Sequence, residues 1–395
     1  MKCQICRKDT YVPILSLGNQ PLANKYPANK TELKKERKYP LDLIFCKYCK
    51  IVKIKKIINR KEMFEKYFYL SSINQELVNH FNNLAILLKG YNFVVDIGSN
   101  DGILLKPLKK NGVKSIGIDP SKNVGKIANK MGFKTLIGFF SKKIVQSIIS
   151  KYGNPDAVVA SSVFTHIQNP KQFCQNIKNL LSKGGLLILE IEYLSSFLKK
   201  NEFERFYFDR PYYYSLKSIK ILFESLDMSL TDVQLINTHG SSLRCFIRNK
   251  KNIKPKKSVK KILDIEKNTL TIKSFNNFNL RINYEIQNFK KKLLNFKAKN
   301  KLVIGYGCPA RVSTITNYGN INSNHIKYII DDSPLKQNKL SPGSHIPIVK
   351  MANKKNDKFE IIIVFAYEYF KYIKKKFKNK KVLFYKPIPF KILNE

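Results

Sequence analysis

The chain lacks several features that would narrow its function at once. No apolar run approaches the ~18 residues of a membrane span. The opening Met1-Lys2-Cys3-Gln4-Ile5-Cys6 carries no hydrophobic signal region, so a cytoplasmic protein is the default expectation. Acidic residues are scarce, with 28 Asp and Glu against 73 Lys and Arg, a formal net charge of +45 over 395 residues. Such a surplus invites a nucleic-acid reading. Yet the surplus is almost all Lys, Arg-rich patches are absent, and Lys, Ile and Asn dominate throughout, as compositional drift would produce. No Asn/Asp-Pro-Pro-aromatic motif for methylating exocyclic amines is present, and no nucleic-acid partner is expected. Nor is there a secretory cysteine framework: of seven Cys, four fall in two short pairs and three are scattered.

What is present is enough for real cores. Apolar residues make up 43% and aromatics 12%, and the length allows two or three domains. Cys3-Gln4-Ile5-Cys6 and Cys46-Lys47-Tyr48-Cys49 open and nearly close a module spanning residues 1–60. Two C-x-x-C pairs supply four thiolates to one tetrahedral zinc, and a closed four-Cys site leaves no open position for catalysis. Structural zinc is therefore expected, with redox pairs as the weaker alternative because no βαβ pattern surrounds either.

Residues 61–90 show helical periodicity, and Tyr67-Phe68-Tyr69 within them reads first as core. Residues 91–248 alternate strands and helices, the pattern of a parallel doubly wound sheet. Strands are expected at 93–98, 115–119, 157–160 and 185–190, with a strand-like stretch at 238–247. Residues 250–300 hold a Lys-rich linker and then an amphipathic helix through Phe275, Phe278, Ile282, Ile286, Phe289, Leu293 and Phe296. Residues 301–395 restart with Leu302–Gly307, further strands at 328–332 and 361–365, and a second, smaller α/β domain.

Asp96-Ile97-Gly98-Ser99-Asn100-Asp101-Gly102 lies between a strand and a helix. Gly98 permits a tight turn, and Asp119 at the end of the next strand suits a ribose diol. The G-x-G-x-x-G pyrophosphate turn is missing, so a nucleoside cofactor without phosphates, S-adenosylmethionine (SAM), fits best; a structural turn without ligand is the bland alternative. Ser161-Ser162 follow a strand at the ligand-binding edge of the sheet, ahead of His166. Phe139-Phe140 read equally as an adenine flank and as core.

These motifs together resemble the sugar C-methyltransferases, which methylate a carbon of a nucleotide-linked deoxy-ketosugar. The resemblance runs nearly end to end. It takes in both Cys pairs, Leu17–Asn24, Asp96–Gly102, Gly117–Ser121, Glu190–Leu194 and Thr238–Arg244. It continues through Gly305–Ala310, Asp331–Lys336 and Pro342–Ile348. It implies a zinc-bearing N-terminal module, a central SAM domain and a C-terminal Rossmann-like domain that helps hold the sugar nucleotide. A nucleotide-diphosphate ketosugar is the implied substrate, and a monomer is expected. Glu190, Tyr193, Arg244 and Arg311 become substrate-side candidates, with Lys336 a further cation for the diphosphate or simply a solvated surface residue. The implied chemistry removes a C–H beside the ketone, stabilises the enolate, and lets the carbanion attack the methyl group.

One departure matters. The family shows Tyr-His-Glu-His after the Glu190 strand, its last His being the base, where this chain has Tyr207-Phe208-Asp209-Arg210. Asp209 is then a candidate base with Arg210 or Tyr207 stabilising the enolate. His239 or Tyr69 are alternatives, and a structural Asp209–Arg210 ion pair is the bland reading. O-methylation, nucleic-acid methylation or binding, and a non-catalytic role remain the rival functions.

Overall fold

The computed structural model describes residues 1–59, 72, 74–354, 357–378 and 381–393. Tyr69, in the expected helical stretch, lies outside them.

Two matching turns begin the N-terminal module. Arg7 and Lys50 both take left-handed φ values, 64° and 63°. Their N–H groups donate to the carbonyls of Cys3 and Cys46, each at 2.9 Å. Between the turns run the antiparallel strands β1 (Tyr11–Pro21), β2 (Lys38–Cys46) and β3 (Val52–Ile54).

The central sheet is built on β4 (Phe93–Ile97), β5 (Lys114–Asp119), β6 (Thr135–Ile137), β7 (Ala157–Ser161) and β8 (Leu186–Glu192). All five run parallel. β4 and β8 are buried along their whole length, as expected for strands covered on both faces. A short strand, β9 (Tyr212–Tyr213), then leaves this domain and extends the N-terminal sheet by pairing with β3. β10 (Ser229–Ile236) and β11 (Ser242–Arg248) return antiparallel at one edge, giving the order β10-β11-β8-β7-β4-β5-β6. The stretch expected as one strand from 238 divides into a 3₁₀ turn, Thr238–Gly240, and then β11. The order reverses at β4, so the crevice beyond the carboxyl ends of β4 and β7 is the ligand position for this fold.

The Lys-rich run before Ile262 is not an extended linker: a helix already runs from Lys257 to Thr269. A second helix, Ile272–Ala298, starts where the Thr271 hydroxyl accepts from Ser274 N–H at 3.1 Å. Phe275, Phe278, Ile282, Ile286, Phe289 and Leu293 are all buried on one face of it, and Phe296 packs partly buried beside them.

The last sheet contains β12 (Val303–Tyr306), β13 (Ile329–Ile330), β14 (Lys339–Leu340), β15 (Pro347–Val349), β16 (Ile361–Val364), β17 (Leu383–Lys386) and β18 (Lys391–Ile392). Its order is β14-β15-β13-β12-β16-β17-β18, with β12 parallel to both β13 and β16. It is a second Rossmann-like unit whose order also turns at its first strand.

Cores cross the sequence divisions. One joins Leu17 and Phe45 of the N-terminal module, the long helix, Phe203 and Phe206, and Val312 and Ile315 of the last domain. Another packs Cys3, Cys46 and Cys49 against the central sheet. Among the described residues no helix is long and apolar enough to cross a membrane.

Candidate functional site

The four sulfur atoms of Cys3, Cys6, Cys46 and Cys49 lie within 4.8 Å of one another. Cys3 and Cys49 approach to 3.6 Å, as do Cys6 and Cys46. Four thiolates about 2.3 Å from one zinc give sulfur separations of this size, so the donor set fits the metal. Three of the four cysteines are fully buried, consistent with a closed structural site.

At the carboxyl end of β4, Gly98 turns the chain with φ 81° and donates its N–H to Ile118 O at 2.8 Å. A side chain there would be strained and would press on Val163. The turn delivers Asn100 N–H to Asp119 Oδ2 at 2.9 Å, while Ser121 N–H reaches Oδ1 at 2.8 Å. Each oxygen keeps acceptor capacity for a ribose hydroxyl. Gly102 closes the turn by donating to Ser99 O at 2.9 Å, and Asp101 accepts from the Ser72 hydroxyl at 2.5 Å. Asp96 is buried beneath; burial, with Asp119 and Glu190 nearby, pushes its carboxyl up to about 8. Asp101 and Asp119 make this turn acidic, which suits a cationic ligand, and SAM, bearing a sulfonium and an ammonium against one carboxylate, is one.

Phe139, beyond β6, is 55% exposed, whereas Phe140 stacks edge-on against Phe173 in the core at 5.1 Å. Ser162 holds a left-handed φ of 58° after β7. Ser161 points instead to Glu190, donating to Oε2 at 2.6 Å.

Glu190, expected to face substrate, is 1% exposed and fully engaged. Arg244 Nε donates to Oε1 at 2.7 Å, and His80 Nε2 lies 2.8 Å from Oε2. Burial alone would raise the Glu190 carboxyl, but His80, Arg244 and Ser161 hold it below its ordinary value. An ionised carboxylate only accepts, so His80 Nε2 carries the proton and Nδ1 faces the Thr238 hydroxyl at 3.2 Å. His80, on the helix Gln75–Leu87, is a site residue that its sequence context did not reveal. One polar residue within an amphipathic helix has no signature. Tyr193 is likewise buried rather than open to a ligand.

Asp209 lies where all three domains meet. Its Oδ2 accepts from Asn24 Nδ2 of the N-terminal module at 2.6 Å. His166 Nδ1 donates to its backbone carbonyl at 2.7 Å. Burial raises the Asp209 carboxyl, against the opposing pull of Asn24 and Arg210. Asp209 and Arg210 do not form an ion pair of their own. The Arg210 guanidinium grips Glu192 and lies 4.8 Å from the Tyr207 ring. Tyr207 is pushed up to about 12 by burial, so its hydroxyl stays a donor at neutral pH. Tyr26 donates to Cys308 O at 2.8 Å, carrying the junction into the last domain.

Arg311, expected on the diphosphate, pairs with Glu368 at 2.7 Å and lies 4.7 Å from the Tyr367 ring. Glu368 also meets Arg205 at 3.3 Å, which ties the central domain to the last one. The side chain of His239 lies outside the described residues, and its backbone belongs to the Thr238–Gly240 turn.

Comparison with known proteins follows the same three-part division. A zinc-binding domain model matches residues 3–64, a methyltransferase domain model residues 69–233, and a C-methyltransferase C-terminal domain model residues 237–389. The C-methyltransferase NovU of Streptomyces niveus is 27% identical, over 88% of this chain and 85% of its own. The mitochondrial ubiquinone biosynthesis O-methyltransferase of Rattus norvegicus is 32% identical over 24% of this chain and 29% of its own. A magnesium protoporphyrin IX methyltransferase from Synechocystis PCC 6803, solved with bound SAH, covers 43% of this chain and 82% of that one, at 17% identity and a TM-score of 0.36. With three family models in this order along the chain and one C-methyltransferase similar to it nearly end to end, the protein is a SAM-dependent methyltransferase with an N-terminal zinc-binding domain.

Proposed function

We propose that the protein C-methylates a nucleotide-linked deoxy-4-ketosugar at the carbon beside the ketone, within branched-sugar or surface-polysaccharide synthesis. The observation that carries this reading is the position of Asp209, a buried carboxylate at the meeting point of the three domains. A C–H next to a ketone needs a base with a raised proton affinity and little competing water. Asp209 meets both needs, because burial raises its carboxyl. Asn24 and His166 orient it, one through the carboxylate and one through the backbone.

The proton would pass from the substrate carbon to an Asp209 carboxylate oxygen. The electron pair left behind spreads onto the ketone oxygen as an enolate, to which the Tyr207 hydroxyl would donate. SAM, when bound, supplies the electrophilic methyl group that the enolate carbon takes up. Asp119 would hold its ribose, and Asp101 in the same turn favours its positive charge. The zinc, held by the four cysteines, has a structural part only.

The test is intact-mass spectrometry of nucleotide 4-ketosugars, generated in situ and incubated with protein and SAM. A methyl gain of about 14 Da, retained in the sugar and resistant to ether cleavage, is expected. Asp209→Asn should lose nearly all turnover while keeping SAM affinity. Near-wild-type turnover in that variant would remove Asp209 from the role of base. No gain on any ketosugar would move O-methylation, nucleic-acid methylation or a non-catalytic role ahead.

A further inference from the structure

The long helix Ile272–Ala298 turns one face to the core and leaves the opposite one bare. Phe275, Phe278, Ile282, Ile286, Phe289 and Leu293 are buried along one side. At about 100° per residue, Leu280, Tyr284 and Leu294 fall within about 80° of arc on the other side, over about 21 Å of helix. They are 70%, 69% and 48% exposed. Lys273 and Lys291, both exposed, fall in the same arc. Apolar residues exposed singly are ordinary, but three on one outward line make a ridge.

Neighbouring elements fix which line faces outward. On one flank, Arg281 donates from Nε to Asn201 Oδ1 at 2.7 Å and from Nη2 to Leu198 O at 3.1 Å. On the other, Asn279 Nδ2 donates to Ile14 O, and the Tyr318 hydroxyl to Asn283 Oδ1, each at 2.5 Å. The ridge stands between these anchors. The helix carries six cations, Lys273, Arg281, Lys290, Lys291, Lys292 and Lys297, against one acid, Glu285. Glu285 lies about 140° around the helix from Leu280, off the ridge. Among the described residues none of the five lysines pairs with a carboxylate.

We infer that this ridge lies flat on an anionic phospholipid surface, with Leu280, Tyr284 and Leu294 entering between the headgroups and the lysines meeting lipid phosphates. Charge selects the occupant. A second copy of the chain would set lysine against lysine, with no acid on the ridge to receive either. A nucleic-acid backbone would satisfy the lysines but leave two leucines against phosphate and water. An anionic bilayer surface accepts both kinds of group, apolar side chains in its headgroup layer and cations at its phosphates. A tyrosine suits that depth, with an apolar ring and a wet hydroxyl. Among the described residues no helix is long and apolar enough to cross a membrane, so the contact is one made along the surface. The inference does not rest on the ketosugar proposal.

The test is co-sedimentation of the full zinc-loaded chain with two kinds of vesicle, phosphatidylcholine alone and equal parts phosphatidylcholine and phosphatidylglycerol. Binding to the mixed vesicles alone, falling as salt rises, is expected. Leu280→Ser, Tyr284→Ser and Leu294→Ser together should weaken it about tenfold or more. These side chains already stand in water, so the fold loses little. Lys273→Gln with Lys291→Gln should weaken it too, whereas Lys142→Gln with Lys143→Gln, at the exposed start of another helix, should not. The chain has no tryptophan, so Tyr284→Trp places a single reporter on the ridge. Its emission should shift to the blue with mixed vesicles, while that of Tyr372→Trp, at a 60% exposed position of the last domain, should stay. No binding to mixed vesicles by the unaltered chain would overturn the inference. Equal losses from the two lysine pairs, or binding untouched by the triple serine variant, would do the same, leaving only the pull of a highly basic chain. So would a dimer in sedimentation velocity that the triple variant loses, which would give the ridge to a second copy, or ridge-dependent binding of random-sequence DNA with none to vesicles. Methyl transfer is read in none of these experiments, so its failure on ketosugars is a separate result.

Discussion

Asn24 of the zinc-bearing module donates a 2.6 Å hydrogen bond to the Asp209 carboxylate of the methyltransferase domain, 185 positions later in the chain. The small module therefore reaches a buried acid, whose carboxyl burial raises, and supports its charged form. Removing the donor takes support from the charged form, so Asn24→Ala should raise the Asp209 pKa further. The rising limb of methyl transfer against pH should move to higher pH, and stability should fall by about 1–3 kcal/mol. A pH–rate profile with an unmoved limb would separate Asn24 from any catalytic role of Asp209.

Asp96 gives a pH dependence of stability with a definite sign. Its carboxyl is pushed up to about 8 in the folded protein, against about 4 in an unfolded chain. The folded state therefore keeps a proton that the unfolded chain releases. That stabilisation is complete below about pH 4 and is lost as pH rises toward about 8. Asp96→Asn should flatten the fall of melting temperature across this window. Parallel wild-type and variant curves would contradict it.

Zinc removal should reach beyond the module. Cys3, Cys46 and Cys49 pack into the same core as Ile97, Val158 and Leu189 of the central sheet. Cys46→Ser should abolish the one zinc per chain and lower the melting temperature of the whole protein. Metal analysis with calorimetry checks both, and an unchanged melt in a zinc-free variant would show the module to be an independent appendage.

The long helix offers a packing test. Phe278 is 1% exposed and meets Phe206 with ring centroids 6.3 Å apart. Phe278→Ala should cost about 3–5 kcal/mol, read as a lower denaturant midpoint.

The proposal that Asp119 holds the SAM ribose carries a further expectation. Asp119→Ala should weaken SAM binding about tenfold or more, since a charge-assisted hydrogen bond to the ligand is removed. Equilibrium titration reads it directly, and unchanged affinity would place the ribose elsewhere.

Local chemistry in the amino-acid sequence alone determined the elements and the two cofactor groups. Two C-x-x-C pairs, a strand running into Asp96–Gly102, and the apolar spacing from Phe275 to Leu293 each encode their structure within a few turns of chain. Tertiary structure decided which polar groups meet. His80 and Glu190 are 110 positions apart, and Asn24 and Asp209 are 185. Neither pairing leaves a local pattern to read. It also decided that Glu190 and Arg244 satisfy each other inside the protein, that Arg210 turns to Glu192, and that β9 crosses into the N-terminal sheet. The physical reason is burial. A charge removed from water must find a partner wherever the fold supplies one, and periodicity specifies which face is buried but not what waits on the other side.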